Sequence, residues 1–210
     1  AMGKKKKKAL REAAAREHDA TEPLRALAAT GAMRALTPIA KATDEPPLLA
    51  LGLATLAIGA VLRRPALARS GARMVASHLL ATGLKTVLKA GVDRARPNAT
   101  GKAPKLGKGH GTGDTALNAF PCGHTAGSVA VAQSVGHEAP GIATAAKLAA
   151  GTAGAAQVAR GAHYTSDVVA GAVIGWVAER VASLAIDAGE RFAETRRDAK
   201  AEEEVEAHPS

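Results

Sequence analysis

The chain is poor in the residues that build most cores and most thiol sites. It has one cysteine, Cys122, in 210 residues, which excludes an internal disulfide and any zinc site built on several thiolates. Aromatics make up 2%: one Trp, one Tyr and two Phe. A β-sandwich or barrel leans on Val, Ile, Tyr, Phe and Thr, so that scarcity argues against one. It also argues against nucleic acid as a partner, because few rings are present to stack on bases. Acidic residues are outnumbered, with 19 Asp and Glu against 28 Lys and Arg, and the net charge is +9. That balance fits an anionic lipid surface or a phosphorylated substrate. What is abundant is small: 52 alanines and 22 glycines. Such residues let helices approach backbone to backbone, in soluble Ala-rich bundles or in membrane bundles.

Along the chain three regions separate. Residues 1–45 form a basic N-terminal tail and surface helix. Lys4 to Lys8 is a solvated charge run, and Ala9 to Arg25 has helical spacing and too much charge for a secretory leader. Residues 46–187 carry the apolar periodicity of a helical bundle. Leu48 to Leu62 holds no charge in 15 residues and ends at Arg63-Arg64-Pro65. Ala66–Ala90, His124–Gly136, Gly141–Ala159 and Val168–Ile186 give four further helical patterns. Residues 188–210 are a charged C-terminal tail. The glycine-rich stretch Asn98 to Phe120, with Lys102, Lys105 and Lys108, lacks the Walker and Rossmann spacings and reads as a mobile basic loop. The expected fold is all-α, a bundle of five to six helices embedded in a membrane.

Three clusters lie where apolar helices meet polar loops: Lys89 with Arg96-Pro97, Phe120-Pro121-Cys122-Gly123-His124-Thr125, and His163-Tyr164-Thr165-Ser166-Asp167. Singly, each has a plain structural reading: cations at a helix C-terminus, a Pro/Gly helix entry, and an N-cap at Ser166 or Asp167. Together they make a metal-free kit for phosphoryl transfer. Lys89 and Arg96 can neutralise phosphate oxygens, and a neutral imidazole can attack phosphorus. An Asp four residues after a His can hold the other ring nitrogen, and a second His can protonate the leaving oxygen. His18, His110, His137 and His208 lie in polar segments and read as solvated, and His78 reads as a satisfied core histidine. No Asp/Glu cluster has metal-site spacing, so neither metal nor other cofactor is expected.

Lys89-x6-Arg96-Pro97, Pro121-Cys122-Gly123-His124 and His163-x3-Asp167 resemble the signature of the type 2 phosphatidic acid phosphatase superfamily over about residues 48–186. That signature is Lys-x6-Arg-Pro, Pro-Ser-Gly-His and Ser-Arg-x5-His-x3-Asp. The resemblance implies His163 as nucleophile, Asp167 as its orienting partner and His124 as general acid. Lys89, Arg96, Cys122, Gly123 and Gln157 are expected around the phosphate. Two positions depart from the pattern: Cys122 replaces a serine, and Ala156-Gln157 replaces Ser-Arg. Arg160 is the candidate to fill the missing cation. The implied activity is hydrolysis of a lipid phosphate or prenyl diphosphate through a phosphohistidine, in a multi-pass inner-membrane protein. The positive-inside rule, with Arg63, Arg64, Arg69 and Arg73 in the cytoplasm, turns the active site outward, at helix ends on one face. Two alternatives stay open: a soluble acid phosphatase of the same superfamily, and a weakened relative that binds lipid.

Overall fold

In the computed structural model, residues 4–103, 107–111 and 113–207 are described. Ala1 and Met2, Lys105 and His208 lie outside them. The order is α1 Lys4–Arg25, α2 Gly31–Ala35, α3 Thr37–Ala42, α4 Glu45–Val61 and α5 Pro65–Gly91. After a loop come α6 Gly123–Glu138, α7 Pro140–Ala159 and α8 Thr165–Ala207. All five expected bundle helices form. The last does not stop near Ile186 but runs unbroken to Ala207, because no Gly-Pro punctuation interrupts its helix-favouring Ala, Glu and Arg residues.

Alanine and glycine set the packing. Ala81 of α5, Ala126 and Ala130 of α6, and Ala178 of α8 form a fully buried cluster. A Cβ built at Gly71 would fall 2.2 Å from the Leu56 backbone nitrogen, and one at Gly59 would fall 2.3 Å from that of Ala68. The α4 and α5 backbones therefore touch, as small-residue seams allow. Gly171 and Gly175 repeat this arrangement on α8, where an added Cβ would lie 2.4 Å from the Cys122 carbonyl and 2.3 Å from that of Ala126. The second motif and the start of α8 are thereby brought into contact.

The N-terminal region lies mostly at the surface but is pinned to the bundle at a few points. Met33 packs with Ala156 and Ala159 of α7, and Ala40 is buried. His18, expected in solvent, is 9% exposed, and its Nδ1 lies 3.2 Å from the Tyr164 hydroxyl. Its pairing partner is far along the sequence, beyond the reach of local pattern. Residues 24–41 do not make a crossing of their own. They break into a short turn, α2 and α3, and the Gly31–Ala42 segment meets α4 at 53°. Among the described residues, one helix is long and apolar enough to cross a membrane alone, over Thr165–Glu204. The bent Gly31–Ala42 and Glu45–Val61 pair passes that test together.

The loop after α5 is structured at its base. Val92–Asp93 pairs antiparallel with Gly107–Lys108. Arg94 and Arg96 run beside residues 116–119, with Arg94 N–H donating to Leu117 O, Arg96 N–H to Ala116 O and Ala119 N–H to Arg94 O.

Candidate active site

Each functional side chain is delivered by a local device that the sequence encodes. Helix α7 ends in a Schellman turn: Gly161 has φ +66, its N–H donates to Val158 O, and Ala162 N–H donates to Gln157 O. Two residues later the chain presents His163, whose own N–H also reaches Gln157 O at 3.3 Å. Helix α8 then starts at Thr165, with the Asp167 carboxylate accepting the Tyr164 N–H at 2.8 Å, the reciprocal half of a capping box. Cys122 occupies the N-cap position of α6, so Gly123 and His124 form its first turn, at the positive end of the helix dipole.

These devices converge on one cavity of about 510 Å³, open to the exterior. Six of the expected residues line it: Lys89, Arg96, Gly123, His124, Gln157 and His163. Lys89 Nζ donates to Asn118 O at 2.6 Å. Arg96 Nε is buried with no hydrogen-bond partner among the described residues, leaving a donor ready for an anion. His163 is 3% exposed, and its Nδ1 lies 2.6 Å from the Ala119 carbonyl oxygen. A carbonyl only accepts, so Nδ1 carries the proton and Nε2 keeps its lone pair. Burial pushes the His163 pKa down to about 3, aided by the nearby positive charge of Lys89 and Arg96. The imidazole is therefore neutral at physiological pH, the form a nucleophile needs.

Three expectations change in the structure. The Asp167 carboxylate is bonded elsewhere than to the His163 ring, whose Nδ1 is taken by Ala119 O. Its Oδ1 lies 2.6 Å from Arg94 Nη1 and its Oδ2 takes the Tyr164 N–H, because a fully buried carboxylate needs a cation and Arg94 supplies one. Arg160 does not replace the missing arginine: its Nη2 donates to Thr37 Oγ1 of α3 at 2.9 Å, on the side of α7 that faces the N-terminal region. Cys122 is fully buried behind the cavity rather than lining it, and its Sγ accepts from Thr125 Oγ1 at 3.3 Å. It still lies close, since one donor atom each of Cys122, His124 and His163 fall within 4.8 Å of one another.

Among the other histidines His78 departs from expectation, while His110 and His137 lie at the surface as expected. His137 is exposed and its Nε2 bonds the buried Glu179 at 2.6 Å, while His78 Nδ1 is buried with no hydrogen-bond partner among the described residues. His110 is exposed and pairs with Asp93.

Residues that sequence reading passed over complete the cavity. Asp44 Oδ1 lies 2.6 Å from His124 Nε2, and Glu45 pairs with Lys85. Asp44 stands at the N-cap of α4 but makes no side-chain cap bond there, so its carboxylate is free for His124. An Asp-Glu-Pro-Pro start before an apolar helix was the available signal, yet it reads first as ordinary capping. Behind the site a clasp joins α1 to α8. Arg94 Nη2 reaches Glu17 Oε2 at 2.7 Å, Nη1 donates to Ser166 Oγ at 2.6 Å, and Ser166 N–H donates to Glu17 Oε1 at 2.7 Å. The guanidinium also lies 4.3 Å from the centre of the Tyr164 ring. Burial alone would raise the Glu17 pKa, but the Ser166 and Arg94 hydrogen bonds outweigh it and hold the carboxyl below its usual range.

Fold and cavity define an α-helical bundle with a pocket at its helix ends lined by two histidines and by cationic side chains. The chain belongs to the PAP2 superfamily, whose sequence profile matches residues 70–189. Among solved structures it is similar to LpxE from Aquifex aeolicus, with 19% identity, a TM-score of 0.60, and coverage of 78% of this chain and 92% of that one. It also matches the first transmembrane PAP2-type phosphatidylglycerolphosphate phosphatase from Bacillus subtilis, at 18% identity, a TM-score of 0.36 and coverage of 80% and 92%. No curated protein matches the chain by sequence.

Proposed function

We propose that the protein is a phosphatase acting on a lipid phosphate or prenyl diphosphate at a membrane. The observation that carries this reading is the single cavity shared by neutral His163, His124, Lys89 and Arg96. His163 Nε2 attacks phosphorus as the bond from phosphorus to the lipid oxygen breaks. His124, with Nε2 held by Asp44, gives a proton to the leaving oxygen from its other nitrogen. Water then attacks the phosphohistidine, His124 takes back a proton, and inorganic phosphate leaves with His163 restored. Lys89, Arg96 and the first turn of α6 balance charge on the transferring group, and Gln157 contributes a neutral donor.

A membrane setting is supported by large apolar side chains left in the open on several helices. Leu53 and Ile58 of α4, Leu84 of α5, Leu148 of α7, and Val173 and Leu184 of α8 are all exposed. Apolar surface on that scale marks a lipid or protein partner. The mean hydropathy of −0.02 favours a soluble relative instead. Fractionation separates the two: release from membranes by salt alone overturns the embedded reading. For the chemistry, purified protein is expected to release phosphate from a panel of lipid phosphates without added metal, and to carry an acid-labile phosphoryl label. His163→Ala removes both. An alanine variant that releases phosphate at the native rate refutes the assignment.

A further inference from the structure

We propose that Cys122, His124 and His163 form a binding site for a soft divalent cation, Zn²⁺, and that this cation competes with the phosphorylated substrate for His163. Three observations carry it. The donor atoms of these residues already lie within 4.8 Å of one another. A tetrahedral zinc set, with Zn–S near 2.3 Å and Zn–N near 2.0–2.1 Å, places its donors about 3.3–3.6 Å apart, so a movement of about an ångström closes the site. Each histidine also has one ring nitrogen held by an acceptor, Ala119 O for His163 and Asp44 Oδ1 for His124. Metal-ligating histidines almost always carry such an outer partner, which fixes the ring and raises the basicity of the free nitrogen. The third observation is chemical: a hydroxyl at position 122 would be a poor ligand, whereas a thiolate is a strong one for zinc.

Three protein ligands leave a fourth position open, and two of the three, His124 and His163, line the cavity. Binding breaks the S–H bond of Cys122 and sends its proton to solvent, so the site gains one net positive charge. Asp44 and Glu45, both at the cavity, offset that gain against Lys85, Lys89 and Arg96. With Nε2 of His163 taken by metal, the nucleophile is lost.

The test uses the purified, metal-stripped full chain titrated with Co²⁺. One equivalent is expected to bind with a thiolate-to-cobalt charge-transfer band, and Zn²⁺ to displace it. Cys122→Ser loses the band and binds at least tenfold more weakly, and His124→Asn weakens binding to a similar degree. Thermal melting of both variants confirms that they are folded. No band in the native chain, or a band retained in Cys122→Ser, overturns the site. The competition is read separately, as a tenfold or greater loss of phosphate release with one equivalent of Zn²⁺, reversed by a chelator. Undiminished release with zinc bound overturns the competition. The competition rests on the phosphatase reading, whereas the cobalt spectrum does not: a chain that releases no phosphate under any condition but shows the band refutes that reading and leaves the site standing.

Discussion

Replacing Arg94 with alanine tests what Asp167 is for. In the structure Asp167 has no exposed surface, and Arg94 is the one cation bonded to it among the described residues. Removing one partner of a buried pair leaves an uncompensated charge, at a cost of about 3–5 kcal/mol. Glu17→Ala is milder, because Arg94 keeps Asp167 and what is lost is the exposed bond from the Ser166 N–H and the half-buried bond from Arg94, about 1–3 kcal/mol together. In a domain of this size 1 kcal/mol moves Tm by roughly 2–4 °C, so Arg94→Ala should lower Tm by about 6–20 °C and Glu17→Ala by about 2–12 °C. Arg94→Ala/Asp167→Ala should regain part of the loss, since it deletes both charges. Thermal melts of the native chain, Arg94→Ala, Asp167→Ala, Glu17→Ala and the double variant in one detergent, with kcat measured at a temperature where all are folded, supply the readout. Equal losses for Arg94→Ala and Glu17→Ala, or a double variant no more stable than Arg94→Ala, would refute the reasoning. So would a native kcat for Arg94→Ala alongside a collapsed kcat for Asp167→Ala, which would return Asp167 to the His163 ring.

Acidification should remove the contribution of neutral, buried His163 in a definite window. His163 is held neutral with a pKa of about 3, so between pH 6.5 and 3 the unfolded chain binds a proton that the folded chain does not. Its stability contribution is complete above pH 6.5 and declines below, by up to about 1.4 kcal/mol per pH unit. Glu17, whose folded pKa is lowered, loses its contribution only below its ordinary value of 4.5. His163→Asn should flatten the curve of Tm against pH between 6.5 and 4.5, and an unchanged slope would contradict the burial argument. Asp44→Asn removes the charge that holds His124 and should lower kcat by about 10- to 100-fold with a smaller change in KM. Gln157→Arg should raise kcat by about tenfold or more by restoring a charged fork beside the phosphate, and a fall in kcat would show that Lys89 and Arg96 leave no room for a third cation. Gly71→Ala must push Leu56 aside and should cost about 1–3 kcal/mol in urea or thermal unfolding.

Much of the bundle was legible because its helices announce themselves by local means. The 15-residue run Leu48–Leu62, Pro65 at the first position of α5, and Gly161 after α7 mark ends that the structure keeps within a few residues. Six cavity residues were legible because they fall at fixed spacing beside those ends. What stayed hidden is tertiary. Pairing of His18 with Tyr164, or of Glu17 with Ser166, spans more than 140 residues, and no periodicity records it. The turn of Asp167 toward Arg94 was equally invisible. Four-residue spacing allows a His–Asp contact, but the energetic demand of a buried carboxylate decides between that contact and a nearby guanidinium. Asp44 was missed for the opposite reason: a local role explained it fully, so nothing asked for a distant one.

The segment from Asn118 to Cys122 acts as a jig made of main chain. Asn118 O holds Lys89, Ala119 O holds His163, and the Cys122 N–H is tied to the Asp167 carbonyl at 3.0 Å. Every one of these attachments uses a peptide group of this segment, which survives substitution of the residue that bears it by anything but proline. Side chains at 118, 119 and 122 can therefore drift without moving the two groups they align. A lineage can thus pass through serine, cysteine or another small residue at position 122 with its reactive geometry intact, and trial chemistry at that position becomes an inexpensive evolutionary step.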